Sequence, residues 1–491
     1  MKNKNFWNNN IFSKIINFFI YKKNKKKKNN NIKYNLILKI NKILFKLKFL
    51  YFIIFIILFK IYKVEININN KNIYYSYIKY KIYNRIKEKK IFENIKFGIY
   101  IASLTNGGRE RITSLLINYL SREKIFEIYL FTNTYKNPLE YKIPDNITRI
   151  KINNRITDLK SKLIENNIDI LVYQSYNVKE IEFLNKLNKV KTIFYVHTSF
   201  LAWIYCHRLS FIKSLYNAYK KSKFVISLIH FENDFLFKKW GINSILMNNF
   251  ITYNYDEIIP SNLSYNTIIM IGRGGDYLKR FDLGIKAMQY IVKEIPDCEM
   301  KIISSFHGTN YLRSLTAKLK LSNNIKFIDY TLKPEIYYSN ATLHIFPTII
   351  ECFPMVLSES KVFGIPNIIV GIEYVSAAKE GVININNDQP ETIAKEAIKI
   401  LKNENYKKKL GRIARESMKQ FKNEYTYRKW VELLLAVYNG EYFYNKLKKE
   451  DKKISEKEAY KQLENQLRLL KMRMPKLSNI SINDILNFNF F

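Results

Sequence analysis

The chain has 491 residues, enough for two or three domains, and its 47% hydrophobic content can fill real cores. The formal net charge is +40, but Lys, Asn, Ile, Tyr and Phe crowd loops and core-like runs alike, so the excess reads as a global bias and a solvated lysine surface; this argues against a dedicated nucleic-acid face and would attract anionic lipid headgroups equally well. Three scattered cysteines without a C-x-x-C pair, and five histidines without a metal spacing, argue against a disulfide framework or a zinc site and fit a reducing compartment.

Residues 1–94 form a basic extension. Lys and Asn crowd positions 22–31, and no acid precedes Glu65. The apolar run 49–59, FLYFIIFIILF, is flanked by Lys46, Lys48, Lys60 and Lys63. It falls short of the ~20 residues that span a bilayer; residues 43–64 reach that length only if the lysines snorkel. A signal anchor, an interfacial helix and a helix packed on the rest of the protein all stay open. No small-residue cleavage site follows, which argues against a cleaved signal peptide. The basic flanks favour an anionic membrane surface as partner and place the protein on the cytoplasmic side of a membrane through residues 43–64.

From Ile95 the texture changes. IKFGIYIASL (95–104), FEIYLFTN (126–133), ITRIKINN (147–154), IDILVYQ (168–174), VKTIFYVHT (190–198), FVISLIH (224–230) and SILMNN (244–249) read as strands with helical segments between them. A polar linker covers 253–265. The pattern restarts with NTIIMIGR (266–273), EMKIISS (299–305), IKFID (325–329), TLHIFP (342–347) and IPNIIVG (365–371). Alternation of this kind predicts two Rossmann-like, doubly wound α/β domains, 95–252 and 266–424, facing a central cleft. A helix at about 425–440, with Trp430, completes the first. Residues 441–491, charged and then Asn-rich, read as an appendage.

Three places carry candidate chemistry. In TLHIFPTIIECFPMVLSESKVFGIPN (342–367) a strand stops at Pro347, a helix begins near Pro354, and Gly364 with Pro366 closes it. Glu351 and Glu359 bracket this turn, and free backbone N–H groups at Phe353, Met355 and Val356 would point at an anion. A ligand with sugar, ribose and diphosphate suits that mixture; two solvated glutamates beside an ordinary turn fit as well. Arg273 and Lys279 share a glycine-bearing loop that suits a diphosphate, or are plain surface charge. No G-x-G-x-x-G or Walker pattern is present. Gly107 and Gly108 open a helix where a phosphate could approach the backbone, or mark a simple turn.

Together, in this order and spacing, residues 95–440 resemble the retaining glycosyltransferases of the GT-B fold, the "group 1" family that uses nucleotide-sugar donors. NGGRER (106–111) is similar to the family's Gly-Gly loop, GRGGDYLKRFD (272–282) to its Arg/Lys segment, ECFPMVLSES (351–360) to its E-x7-E motif, and FGIPNI (363–368) to the stretch that follows. The resemblance implies that Glu351 contacts donor-sugar hydroxyls, Glu359 holds the ribose, Arg273 and Lys279 neutralise the diphosphate, and Gly107 and Gly108 cover the phosphates. It makes His197 the cleft histidine. It also implies a UDP- or GDP-sugar donor, no metal or other cofactor, a saccharide or lipid-linked acceptor, and a place in cell-surface polysaccharide or lipopolysaccharide-type synthesis. Cys352 stands where the family has glycine, Ser360 where it has alanine, and Arg280 replaces the glycine after the lysine. A catalytically inactive nucleotide-sugar-binding protein on the same fold is the alternative.

Overall fold

The computed structural model describes residues 94–105, 107–134, 137–154, 156–206, 209–305, 308–440, 455–473 and 480–487. The apolar run at 43–64 lies outside them. Among the described residues no helix is long and apolar enough to cross a membrane.

Two parallel sheets form the frame. The first contains β1 (Ile95–Tyr100), β2 (Phe126–Thr132), β3 (Thr148–Lys151), β4 (Ile170–Tyr173), β5 (Lys191–Tyr195), β6 (Phe224–Ser227) and β7 (Ser244–Leu246), ordered β3-β2-β1-β4-β5-β6-β7. The second contains β8 (Thr267–Ile271), β9 (Glu299–Ile303), β10 (Ile325–Ile328), β11 (Leu343–Phe346), β12 (Asn367–Val370) and β13 (Val382–Ile385), ordered β10-β9-β8-β11-β12-β13. Central strands such as ILVY of β4 and LHIF of β11 are buried at every residue, as sheets covered on both faces require. Strand β13, VINI, is the element missed in the sequence. It sits at a half-buried sheet edge, just after Gly381 in the left-handed region (φ 65°), and its apolar run is too short to stand out in an Asn-rich stretch.

The chain crosses between the lobes and comes back. Helix Asn423–Asn439 starts two residues before the expected position and packs on the first lobe. Trp430 is fully buried with its ring 5.3 Å from that of Tyr195, and Lys191 Nζ donates to the Tyr438 carbonyl at 2.7 Å. Asn423 fastens the crossing like a paired strand residue. Its Oδ1 accepts from the Ile251 N–H at 2.7 Å and its Nδ2 donates to the Ile251 carbonyl at 2.8 Å. The segment read as an appendage is instead built into the fold: in helix Glu456–Arg473, Leu463, Leu467, Leu469 and Leu470 are all buried.

The Asn423 pairing is buried, so its loss strands a backbone donor and acceptor. Asn423→Ala is expected to lower unfolding stability by about 1–3 kcal/mol, the usual cost of an unsatisfied buried group. The midpoint of urea unfolding measures it, and an unchanged midpoint refutes it.

Candidate active site between the lobes

Strands β8 and β11 are neighbours where the strand order of the second sheet reverses, and the loops leaving their carboxyl ends lie side by side. The loops are laced together. The Ile349 N–H donates to the Leu278 carbonyl at 2.9 Å, and Thr348 Oγ1 lies 3.2 Å from that carbonyl and from Glu351 Oε1. Lys279 Nζ is ion-paired with Glu351 Oε1, with both side chains mostly buried, and lies over the Phe346 ring. The Tyr374 hydroxyl clamps the Glu351 backbone, accepting from its N–H at 3.0 Å and donating to its carbonyl at 2.8 Å.

Arg273 stands apart from this group. Its side chain is 75% exposed and pairs with Asp276 of its own loop at 2.9 Å, so the two cations of one loop have different partners. The glycines beside it serve packing. Gly274 N–H donates to Ser304 Oγ at 2.7 Å, and a Cβ on Gly275 would sit 3.1 Å from Gly308 Cα.

Helix Met355–Val362 begins after Pro354, so the N–H groups of Met355 and Val356 fall in its first turn, where no intrahelical acceptor exists. Phe353 packs its ring edge-on against Phe421 at 5.5 Å. The helix ends as its sequence predicts: Gly364 has φ 70°, and the N–H groups of Gly364 and Ile365 donate to the carbonyls of Lys361 and Ser360. Glu359, on this helix, is only 2% exposed. Its Oε1 accepts from Arg111 Nη1 at 3.0 Å and from Thr252 Oγ1 at 2.5 Å, and its Oε2 accepts from the Tyr338 hydroxyl at 2.8 Å. Arg111 belongs to the first lobe, so a buried ion pair joins the lobes. Arg111, Thr252, Tyr338 and Tyr374 were given no role by sequence; only Arg111 sat within a singled-out motif.

On the first lobe, Gly107 precedes helix Gly108–Leu120, and a Cβ on it would run into the Glu110 carboxylate. A Cβ on Gly108 would sit 3.4 Å from Met355 Cγ of the other lobe. His197 follows β5. Its Nε2 is buried without a hydrogen-bond partner, its ring lies 3.9 Å from that of Tyr195, and burial, aided by Arg109, pushes its pKa down to about 3. The imidazole is therefore neutral around pH 7. Glu232, unnoticed in the sequence, is 2% exposed. Its Oε1 accepts from Ser199 Oγ at 2.5 Å and from the Phe200 N–H at 2.8 Å, fixing the turn just after His197. Burial pushes the Glu232 carboxyl up to about 7 against the pull of these hydrogen bonds. Across the gap, Phe231 meets the Tyr374 ring edge-on at 5.3 Å. A cavity of about 630 Å³ opens in the first lobe, lined by Tyr100, Arg109, Gln174, Tyr176 and Phe211 among others. Among the described residues, no group of three His, Cys, Asp or Glu side chains is placed to hold a metal ion.

Residues 254–417 match the model of the family described as glycosyl transferases group 1, and Arg273, Lys279, Glu351 and Glu359 all lie within the match. Residues 254–417 are thus similar to a group 1 glycosyl transferase domain. An uncharacterized glycosyltransferase of Haemophilus influenzae is 24% identical over 291 residues, 55% of this chain and 79% of that protein. Among solved structures, sucrose-phosphate synthase of Thermosynechococcus elongatus superposes with a TM-score of 0.60 at 13% identity, covering 70% of this chain and 98% of the other. HepE of Anabaena, solved with UDP and glucose, gives 0.56 at 12% identity, covering 70% and 100%. The two-lobed fold is thus the GT-B arrangement of Rossmann-like domains.

Within the matched lobe the departures noted in sequence have physical explanations. Arg280 has φ 49° and ψ 41°, the left-handed conformation that glycine adopts without strain. Its guanidinium offsets that cost by pairing with Asp282 at 3.0 Å and Asp388 at 2.8 Å. Cys352 is buried, and burial raises its thiol well above the usual range, so it stays protonated. Ser360 Oγ is used inside the lobe, donating to Asn367 Oδ1 at 2.6 Å beside the buried ring of His344.

Two outcomes follow. Arg280→Ala keeps the strained backbone and loses both ion pairs, so it should unfold at lower urea than Arg280→Gly; the reverse order would remove the strain argument. For Glu232 the folded pKa lies above the unfolded one, so the folded state binds the extra proton and stability falls as pH rises from about 4.5 through about 7. Glu232→Gln should flatten that fall in unfolding curves taken between pH 5 and 8.

Proposed function

We propose that this protein is a retaining, metal-independent glycosyltransferase that moves a sugar from a nucleoside diphosphate to a saccharide or lipid-linked acceptor. The observation that carries the reading is the Lys279–Glu351 pair, held on two adjacent loops at the switch point of the family-matched lobe. A cation and a carboxylate so placed suit the two ends of the bond that breaks. As the anomeric C–O bond opens, negative charge grows on the departing diphosphate and positive charge on the sugar ring. The Lys279 ammonium and the first-turn N–H groups of Met355 and Val356 would stabilise the former. Glu351 would accept hydrogen bonds from sugar hydroxyls. The acceptor oxygen forms the new bond, and its proton passes to the departing phosphate oxygen.

Other residues join on this reading. Glu359 would trade Arg111 for the ribose hydroxyls. Gly107 and Gly108 present backbone from the opposite lobe. Neutral His197 is suited to exchanging hydrogen bonds with a hydroxyl, not to supplying charge. Arg273, exposed on its loop, is free to swing toward the outer phosphate, giving up Asp276. The complex of HepE with UDP and glucose supports a uridine donor. The basic N-terminal extension supports a membrane-side site of action and a surface glycan or its lipid-linked precursor as product.

The test is transfer and donor hydrolysis by purified protein across UDP- and GDP-sugars. Lys279→Ala and Glu351→Ala should each lower kcat/KM by at least ~10²-fold. Wild-type rates in both variants would end this mechanism. Tight nucleotide-sugar binding with no turnover in the unmodified protein would move the reading to an inactive sugar-nucleotide binder.

A further inference from the structure

The helix Glu456–Arg473 and the short helix Ile482–Asn487 lie beyond the family match and have no part in the site as drawn so far. They bury Ala459, Leu463, Leu469, Leu470 and Ile485, so they are packed against the protein and not draped on it. They touch both lobes. On the first, Trp240 Nε1 donates to the Ile485 carbonyl at 3.1 Å in a buried contact, and Lys239 pairs with Glu456 at 2.9 Å. The ion pair is exposed and adds little; the indole bond and the apolar face do the holding.

The contacts on the second lobe converge on Gly371 and Glu373. Gln466 donates its side-chain amide to the Gly371 carbonyl, and Asn465 Nδ2 donates to Glu373 Oε1 at 3.2 Å. Leu469 lies so close to Gly371 that a Cβ there would overlap it, and the Gly371 φ of 67° also excludes most side chains without strain. Residues 371–374 form the turn that leaves the carboxyl end of β12. Its last residue, Tyr374, is the one whose hydroxyl bridges the N–H and carbonyl of Glu351.

We infer that the C-terminal segment is a strap with a positioning role: it ties the two lobes and holds the 371–374 turn, so that Tyr374 fixes the backbone of Glu351. The line of contact runs from Gln466 and Asn465 to Gly371 and Glu373, through Tyr374, to Glu351 and its partner Lys279. A rigid turn at Gly371 is needed because the Tyr374 hydroxyl makes both of its hydrogen bonds to one peptide segment, and a small shift of the turn loses both together.

The test uses the full-length chain with Gln466→Ala/Leu469→Ala, with the milder Asn465→Ala in case the double variant does not fold, and with Tyr374→Phe as reference. Hydrogen exchange reads the strap without any activity. Peptides covering 349–356 and 371–378 should exchange at least 10-fold faster in the strap variants, while β1 and β4 stay protected; unchanged exchange at 349–356 overturns the inference. A second arm rests on the transferase reading: kcat should fall about 10-fold in strap variants and in Tyr374→Phe, with donor KM within 2-fold. Combining the two should be no worse than either alone, because both act through one bridge. Multiplying losses, or a change in KM alone, would overturn the strap. If the unmodified protein turns over no donor, the transferase reading fails and the exchange arm still decides this one.

Discussion

A carboxylate removed from water must be matched by donors, and Glu359 is the place where that requirement shapes the whole molecule. Its three donors come from three parts of the chain: Arg111 from the first lobe's opening helix, Thr252 from the end of that lobe and Tyr338 from the second lobe. None of these can be withdrawn without leaving a buried charge under-solvated, which costs several kcal/mol. A buried ion pair thus takes part in holding the lobes together. Such a contact can be exchanged for another set of hydroxyl donors. That exchange is what a ligand rich in hydroxyl groups offers.

The second lobe assembles its site by making loops support one another. The β8 loop supplies Lys279, the β11 loop supplies Glu351, and main-chain bonds through Leu278 and Ile349 hold the two at a fixed spacing. Tyr374 adds a third loop, from the end of β12, and the C-terminal helix backs that loop in turn. Each layer constrains the one in front of it, the support that pre-organised chemistry requires. The first lobe repeats the logic with Glu232, which holds the turn after His197 through Ser199 and Phe200.

The fold was legible because parallel strands covered on both faces are written as short, unbroken apolar runs, and twelve of the thirteen strands among the described residues stood out that way. The edge strand β13 did not, since half of its surroundings are solvent. Glu351 and Lys279 were legible because each sits beside a turn signal, Pro354 for one and a glycine cluster for the other. Their being in contact was not, because 71 residues separate them in sequence. The partnership of Arg273 with Asp276 shows the limit of reading like charges on one loop as one cluster: Asp276, three residues from either cation, pairs with Arg273, while Lys279 turns to Glu351. Tyr338, Tyr374 and Glu232 carry no local pattern, and Arg111 lies in the NGGRER motif without a signal for its partner; tertiary packing brings them to the cleft. The packing of the helix Glu456–Arg473 was hidden for the same reason, as its leucines mark a helix and not its destination.

The crossing at Ile251 has a consequence for biogenesis. The first lobe leaves Tyr195 and the backbone of Ile251 uncovered until Trp430 and Asn423 arrive, some two hundred residues later in synthesis. A nascent chain emerging from the ribosome thus holds an incomplete lobe through nearly the whole of translation of the other. Emergence of the helix Asn423–Asn439, not of the first sheet, is the moment at which the first lobe can close its own surface, and a product truncated before it would be a natural client for chaperones.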